Sequence, residues 1–422
     1  MSALPHDVDH RSDAELMAAL ASVEQAIAQA PDVAANHRRA WGLYRRLGRA
    51  QEALAAAQRA VSLAPTEAMA HNELAAAYGA VLDLTGMAGA ATRAIALAPD
   101  LASAHFARAA ALLLDGEFAE GWREYEWRLR LPGTAGGIPP DDMPRWDGTP
   151  MPDGKLLLFC DQGRGDIIQF ARYIPWAARR CPDLSLCCPS EMWPILRQFG
   201  ELRHLVTHWH EAPPCDAFAP LGSLAMLAGT RLSNIPATIP YLRAEHRHAQ
   251  RWRYRLDGLL PPDCLRVGLI WAGSASHTDD NSRSTHLSSF LPLATIPGVA
   301  LVALQKGPAQ AQTAGYFGRA PLVSLGPEIH DFDDTMAVLD AIDLLVSVDT
   351  GVVHLAGAMG RPTWVLLPYA PDWRWLLNRD DSPWYPDVQL FRQPSPNGWA
   401  PAIERITAPL RELARSGAHS RR

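Results

Sequence analysis

The sequence predicts an all-α repeat region followed by two α/β units. Three observations carry that reading. A set of landmarks recurs every 34 residues in the first third of the chain. A Pro/Gly-rich stretch over residues 131–153 then interrupts the pattern. Beyond it, short apolar strand-like runs alternate with helical ones, as in a parallel sheet built from crossover units.

The repeat rests on aligned positions. Pro31, Pro65 and Pro99 keep one step, and so do His37, His71 and His105. Ile27, Val61 and Ile95 each stand four residues before their proline. A 34-residue period is the mark of the tetratricopeptide repeat, a helix–turn–helix unit. Trp41, Gly42, Leu43 and Tyr44 fill the inner positions of one unit, Gly48 marks its turn, and Ala53, Ala57 and Ala60 follow. The next unit offers Leu74, Tyr78, Ala91 and Ala94. The third is weaker and keeps Gly116 at the turn. Small residues let paired helices approach, and the units must stack because none buries its apolar face alone. The three histidines are expected about 10 Å apart across packed helices, too far for one zinc. They read as polar positions lining a concave groove.

Gly121–Arg128 is an aromatic, charged junction helix. The expected division is a repeat region over 1–130 and a connector over 131–153, then α/β units over 154–245 and 246–400, with a helix and tail over 401–422. In the first α/β unit, Lys155–Cys160 reads as a buried strand. It runs into Asp161-Gln162-Gly163-Arg164-Gly165-Asp166 and then an apolar helix. Strand, glycine turn and helix form the arrangement in which ligands sit at a strand's C-terminal end. In the second unit, Arg266–Trp271, Val299–Gln305, Leu322–Leu325, Leu344–Val348 and Thr363–Leu367 read as strands. Asp333–Ile342 and Val352–Met359 read as helices, the second entered through the sharp loop Asp349-Thr350-Gly351.

Composition narrows the function classes. The 422 residues are 48% hydrophobic and 20% charged, with a formal net charge of -6. That balance suits a globular protein and argues against a nucleic-acid binder held by a basic face. The polar N-terminus shows no signal-peptide segment, and no apolar stretch approaches the ~20 residues a membrane span needs. Six cysteines form no CxxC pair and have no histidine at zinc spacing, so they read as free thiols in a reducing cytoplasm.

Ser347-Val348-Asp349-Thr350-Gly351-Val352-Val353-His354-Leu355-Ala356-Gly357-Ala358 resembles the nucleotide-sugar motif of the heptosyltransferase-like glycosyltransferases. Pro368–Trp375, Asp381–Pro386, the Asp161–Asp166 loop and Leu304–Pro308 are similar to a bacterial branch with tetratricopeptide repeats fused ahead of the transferase. The resemblance covers residues 31–393. It implies the GT-B fold, two Rossmann-like domains facing a cleft, with 154–245 on the acceptor side and 246–400 binding the nucleotide sugar. It implies a metal-independent reaction with no cofactor beyond the nucleotide-sugar co-substrate. Where heptosyltransferases proper carry a basic residue after the first donor-domain strand, this chain has Thr278, so Arg283 or Lys306 would supply the charge.

Sugar transfer of this kind needs a held leaving diphosphate, a base for the acceptor hydroxyl and a water-poor cleft. Thr350 and Gly351 begin a helix, whose free N–H groups and dipole favour a phosphate. His354 lies one turn on, on the same face. Asp349 completes the motif and equally reads as a cap. Lys306 would neutralise the departing diphosphate. Arg283, His277 and Ser274 line the neighbouring loop, and Asp334 and Thr335 open a helix expected to meet the nucleoside. Gly163 and Gly165 admit close approach on the acceptor side. Trp373, Arg374 and Trp375 would form a wall for a sugar or base, with Trp384 and Tyr385 similar. Asp166 stands as general base, as the resemblance implies, or as a first-turn cap. The expected activity is therefore transfer of a sugar to a hydroxyl on a protein, for example a surface or flagellar protein, recruited by the repeat groove. Two other readings stay open: a glycan or lipid-linked acceptor, and a non-catalytic interaction protein with a degenerate transferase domain.

Overall fold

A computed structural model describes residues 12–132, 143–274 and 280–416. Its contacts divide the chain into a helical unit and an α/β unit.

The helical unit runs α1 (Asp13–Gln29), α2 (Ala34–Arg46), α3 (Ala50–Leu63), α4 (Ala68–Ala80), α5 (Leu84–Leu97), α6 (Ala102–Asp115) and α7 (Phe118–Tyr125). Ala53, Ala57 and Ala60 of α3 and Ala91 and Ala94 of α5 are buried at the helix seams, where a larger side chain would force the pairs apart. Each turn between paired helices has one left-handed residue at the same step: Gly48 (φ 70°), Leu82 (φ 60°) and Gly116 (φ 88°). The middle unit thus holds a leucine where its neighbours use the residue that adopts this conformation freely.

The repeat histidines correct the expectation that they line a groove. His37, His71 and His105 are buried, and Nε2 of each lies 2.8, 3.0 and 2.8 Å from the carbonyl of Pro31, Pro65 and Pro99. Proline and histidine recur together because they are two halves of one contact. The proline ends one repeat, and the histidine one turn into the next helix takes its otherwise unpaired carbonyl. Across repeats, Arg38 makes bonds of 2.7 and 2.6 Å to both oxygens of Glu73 and also pairs with Glu67. Burial pushes the Glu73 carboxyl up, against the pull of Arg38.

Residues 370–377 belong to the helical unit. Trp373 packs edge-on against Trp122 (5.2 Å between ring centroids) and Tyr125 (5.7 Å). Arg374 covers Trp373 at 4.2 Å and pairs with Asp372 at 2.8 Å. Burial opposes the charge on Asp372, but Arg374 outweighs it and holds the carboxyl at about 2. Trp375 is fully buried. The expected acceptor wall of Trp373, Arg374 and Trp375 is therefore a plug in the helical core, because its rings are spent on packing.

The α/β unit holds two all-parallel sheets. The first comprises β1 (Lys155–Phe159), β2 (Asp183–Cys187), β3 (Leu202–Val206) and β4 (Ala217–Pro220), in the order β3-β2-β1-β4. The second comprises β5 (Leu265–Ile270), β6 (Val299–Ala303), β7 (Leu322–Ser324), β8 (Leu344–Val348), β9 (Thr363–Leu367) and β10 (Val388–Arg392), in the order β10-β9-β8-β5-β6-β7. Leu156 pairs with both Leu184 and Ala217, and Leu269 with both Ala303 and Val346, so β1 and β5 are the central strands. β5 and β6 are buried along their whole length, which is why they read as unbroken apolar runs. The second order is that of a complete doubly wound dinucleotide-type sheet, and the first is the same order cut short. Both are therefore Rossmann-type sheets. The helices that matter below are α8 (Arg164–Ala171), α9 (His246–Asp257), α10 (Phe332–Ala341) and α11 (Gly351–Ala358); α12 (Trp399–Arg415) closes the second sheet. All six cysteines are free thiols. Among the described residues, no helix is long and apolar enough to cross a membrane.

Candidate active site

In a doubly wound sheet the strand order reverses between the central strand and the next strand added on its other side. Ligands sit beyond the C-terminal ends of the strands at that switch point. In the first sheet the switch lies between β1 and β4, and β1 feeds the Asp161–Asp166 loop and α8. In the second it lies between β5 and β8, and β8 feeds Asp349, Thr350 and α11. The two helices entered from these switch points touch at their first turns. A Cβ on Gly165 would stand 3.3 Å from the Gly351 Cα and 2.9 Å from the His354 ring. A Cβ on Gly351 would stand 3.4 Å from the Gly165 N. Glycine at both places is what lets two helix N-termini, each with partial positive charge, converge on one spot.

The N-cap of α11 is Thr350, not Asp349, and its side chain makes no capping bond. Its hydroxyl lies 3.4 Å from the Ser347 hydroxyl. The Asp349 carbonyl accepts from Arg283 Nη1 at 3.4 Å, which ties that cation to the entrance of α11. Arg283 also pairs with Asp280 at 3.2 Å. His354 is buried, with Nδ1 3.1 Å from the Tyr385 hydroxyl. Gln305, at the end of β6, accepts from the N–H groups of Trp271 and Ala272 at 3.0 and 2.9 Å. It donates to the carbonyls of Ala272 and Lys306 at 3.0 and 2.9 Å, locking the ends of β5 and β6 together.

Several expected site residues stand elsewhere or are already engaged. Asp166 is the third residue of α8, and its Oδ2 accepts from the Gly163 N–H at 3.1 Å, a capping contact. Lys306 is exposed, and its ammonium donates to the Ile329 carbonyl. Asp331, rather than Asp334, caps α10. Asp334 accepts from the His330 N–H at 2.8 Å and pairs with His248 of α9 at 2.9 Å. Thr335 is buried and donates to the Asp331 carbonyl at 2.8 Å. Asp334 and Thr335 thus make cap and helix-packing bonds. Trp384 and Tyr385 are buried against Arg172 rather than open to a sugar. Ser274 is exposed after β5, while His277 and Thr278 lie outside the described residues.

Residues 312–375 match the family model described as Glycosyltransferase family 9 (heptosyltransferase). The matched segment, most of it in the α/β unit, is similar to that family. That segment includes β8, the Asp349–Gly351 turn and α11, so the matched part and the second switch point coincide. It supports glycosyl transfer as the chemistry. Among curated proteins, Protein FlbA of Caulobacter vibrioides is 27% identical over 339 residues, covering 74% of this chain and 55% of that protein. The chain spans about half the length of the curated relative it matches. Among solved structures, E. coli ADP-heptose LPS heptosyltransferase II is 14% identical, covering 62% of this chain and 99% of that one, with a TM-score of 0.45. MamA is 20% identical, covering 31% of this chain and 77% of that one, with a TM-score of 0.27. At these TM-scores the two structures add nothing to the fold read above.

Proposed function

We propose that the chain transfers a sugar from a nucleotide sugar to an acceptor hydroxyl. The observation that carries the reading is the convergence of α8 and α11 at Gly165 and Gly351, each helix entered from a switch point. The donor diphosphate would lie on the first-turn N–H groups of α11, with Arg283 beside them and His354 one turn on. In the transfer, the acceptor oxygen bonds to the anomeric carbon and its proton passes to Asp166. The bond from that carbon to the diphosphate breaks, and the nucleoside diphosphate leaves with the electron pair. The charge that grows on it is held by α11 and Arg283, which is stabilisation where charge develops. Asp166 would exchange its cap for the incoming hydroxyl.

The acceptor most in keeping with the chain is a polypeptide held by the stacked repeats. Label from a nucleotide sugar, incubated with the full chain and a cell lysate, should appear in protein. Label confined to lipid or free glycan would replace that acceptor. A non-catalytic reading draws on one observation, that Asp166 and Lys306 both have internal partners.

Calorimetry with ADP, GDP and UDP tests the donor site. One of them should bind saturably, and Arg283→Ala should weaken it ~10-fold, the loss of one charge-assisted contact. Lys306→Ala should weaken it less, because that ammonium must first leave Ile329. No binding by any of the three would refute the donor site, and an unchanged Arg283→Ala would remove Arg283 from it.

A further inference from the structure

Arg172 follows the last residue of α8 and is buried, yet the resemblance gives it no task. Its Nη1 donates to the Trp384 carbonyl at 3.0 Å and its Nε to the Gln169 carbonyl at 3.1 Å. The guanidinium lies over the ring of Tyr385 at 4.8 Å and near those of Tyr241 and Trp384 at 5.3 and 5.4 Å. An arginine buried this far is costly unless its geometry secures something.

What it secures is Tyr385. That ring also presses on the backbone of α11, where a Cβ on Gly357 would stand 2.5 Å from it. Glycine is required there for the ring to lie flat on the helix. Gly357 and His354 are three residues apart, on one helix face. The tyrosine hydroxyl therefore reaches Nδ1 of His354 at 3.1 Å, while the Cδ2–Nε2 edge of that imidazole faces Gly165.

We propose that Tyr385 and Arg172 are positioning residues. Tyr385 donates its O–H to Nδ1 of His354 and holds the imidazole in its Nε2–H form, and Arg172 fixes the tyrosine from the far side. The direction of that bond follows from charge. A cation against the phenol ring makes its O–H a better donor and disfavours a second cation at His354. Nδ1 is then the acceptor, and the ring proton sits on Nε2, the edge at the convergence of the two helices. The tautomer is set by the bond at the other nitrogen. The inference rests on the donor reading above, in which Nε2–H donates to a diphosphate oxygen. Arg172 stands at the end of the acceptor-side helix, so the same contact joins the two sheets' halves of the site.

Imidazole nitrogen NMR of the full chain, with His354 assigned through His354→Gln, tests the tautomer. The wild type should show the Nε2–H form at His354, and Tyr385→Phe should give a mixture. Calorimetry with ADP, GDP and UDP tests the purpose. His354→Gln should weaken binding ~10-fold, Tyr385→Phe ~5-fold and Arg172→Lys ~3-fold, the range of single hydrogen-bond losses. The double variant Tyr385→Phe/His354→Gln should bind no worse than His354→Gln alone, since both act through one imidazole. A merely structural tyrosine would give additive losses and leave the tautomer unchanged, and either result would overturn the inference. If His354→Gln binds at full strength, or none of the three diphosphates binds, the donor reading itself fails and this role falls with it. Should Arg172→Lys not fold, Tyr385→Phe, which keeps the ring, still decides.

Discussion

His37, His71 and His105 in the helical unit are 8%, 9% and 7% exposed, and His354 in the α/β unit is 6% exposed. The first three are held by a carbonyl six residues back in the chain. His354 is held by Tyr385, 31 residues on, with Gly165 packed against its other edge. The helical unit repeats one local contact three times. The α/β unit builds its contact once, from segments that only the fold brings together. A repeated local contact leaves a period in the sequence, whereas a single long-range contact leaves none.

That difference can be broken most forcefully at Asp166. If the carboxylate is a base, Asp166→Asn should lower turnover ~10²–10⁴-fold with the donor and acceptor found by the screens above. The amide oxygen can still accept from the Gly163 N–H, so melting temperature should barely move. Near-normal turnover would make Asp166 a cap like Asp331 and move the base elsewhere.

Gly357→Ala comes next. In a helix interior this change ordinarily stabilises, by about 1 kcal/mol. Here the new methyl would stand 2.5 Å from the Tyr385 ring. Displacing that ring should reverse the sign and cost about 1–3 kcal/mol, the usual penalty of overpacking. Diphosphate affinity should fall as well, because the ring carries the hydroxyl that holds His354. A melting curve at or above the wild type would show that the ring yields freely.

The strands around the site were largely legible. Leu344–Val348 and Thr363–Leu367 match the observed β8 and β9 to the residue, because buried parallel strands are continuous apolar runs bounded by turns. The Asp349-Thr350-Gly351 turn and α11 were legible for the same reason. Arg172 was not, since a lone arginine after a helix carries no signal of the aromatic rings that will surround it. Trp373 misled for the converse reason. A tryptophan pair flanking an arginine has the composition of a sugar-binding wall, and only its burial against Trp122 and Tyr125 reveals a plug. The repeat histidines were found by period but misassigned. Spacing reports that a contact recurs and says nothing of whether it points in or out.

His71→Ala probes the local contact. It leaves the Pro65 carbonyl without its partner and should lower stability by about 1 kcal/mol. Affinity for the diphosphate should not change, in contrast with His354→Gln. A loss of affinity in His71→Ala would show that the middle repeat is coupled to the site, and the two regions could no longer be treated as independent.

The smallest effect is expected at Gly89, in α5. Like Gly357 it sits inside a helix, and its φ is not in the left-handed region. Unlike Gly357 it has open space where a Cβ would go, with no atom from outside its own stretch of helix within 4 Å. Nothing in the repeat packing therefore asks for glycine. Alanine removes backbone freedom from the unfolded chain and adds nothing that must be accommodated. Gly89→Ala should raise stability by about 0.5–1 kcal/mol, read as a rise of a few degrees in melting temperature. Glycine to alanine would then have opposite signs in two helices of one chain, set by whether a neighbour from a distant segment has claimed the space. A loss of stability at Gly89 would mean that this surface of α5 is covered in the folded protein. The helical unit would then have a further long-range contact, at a position where the repeat pattern implies none.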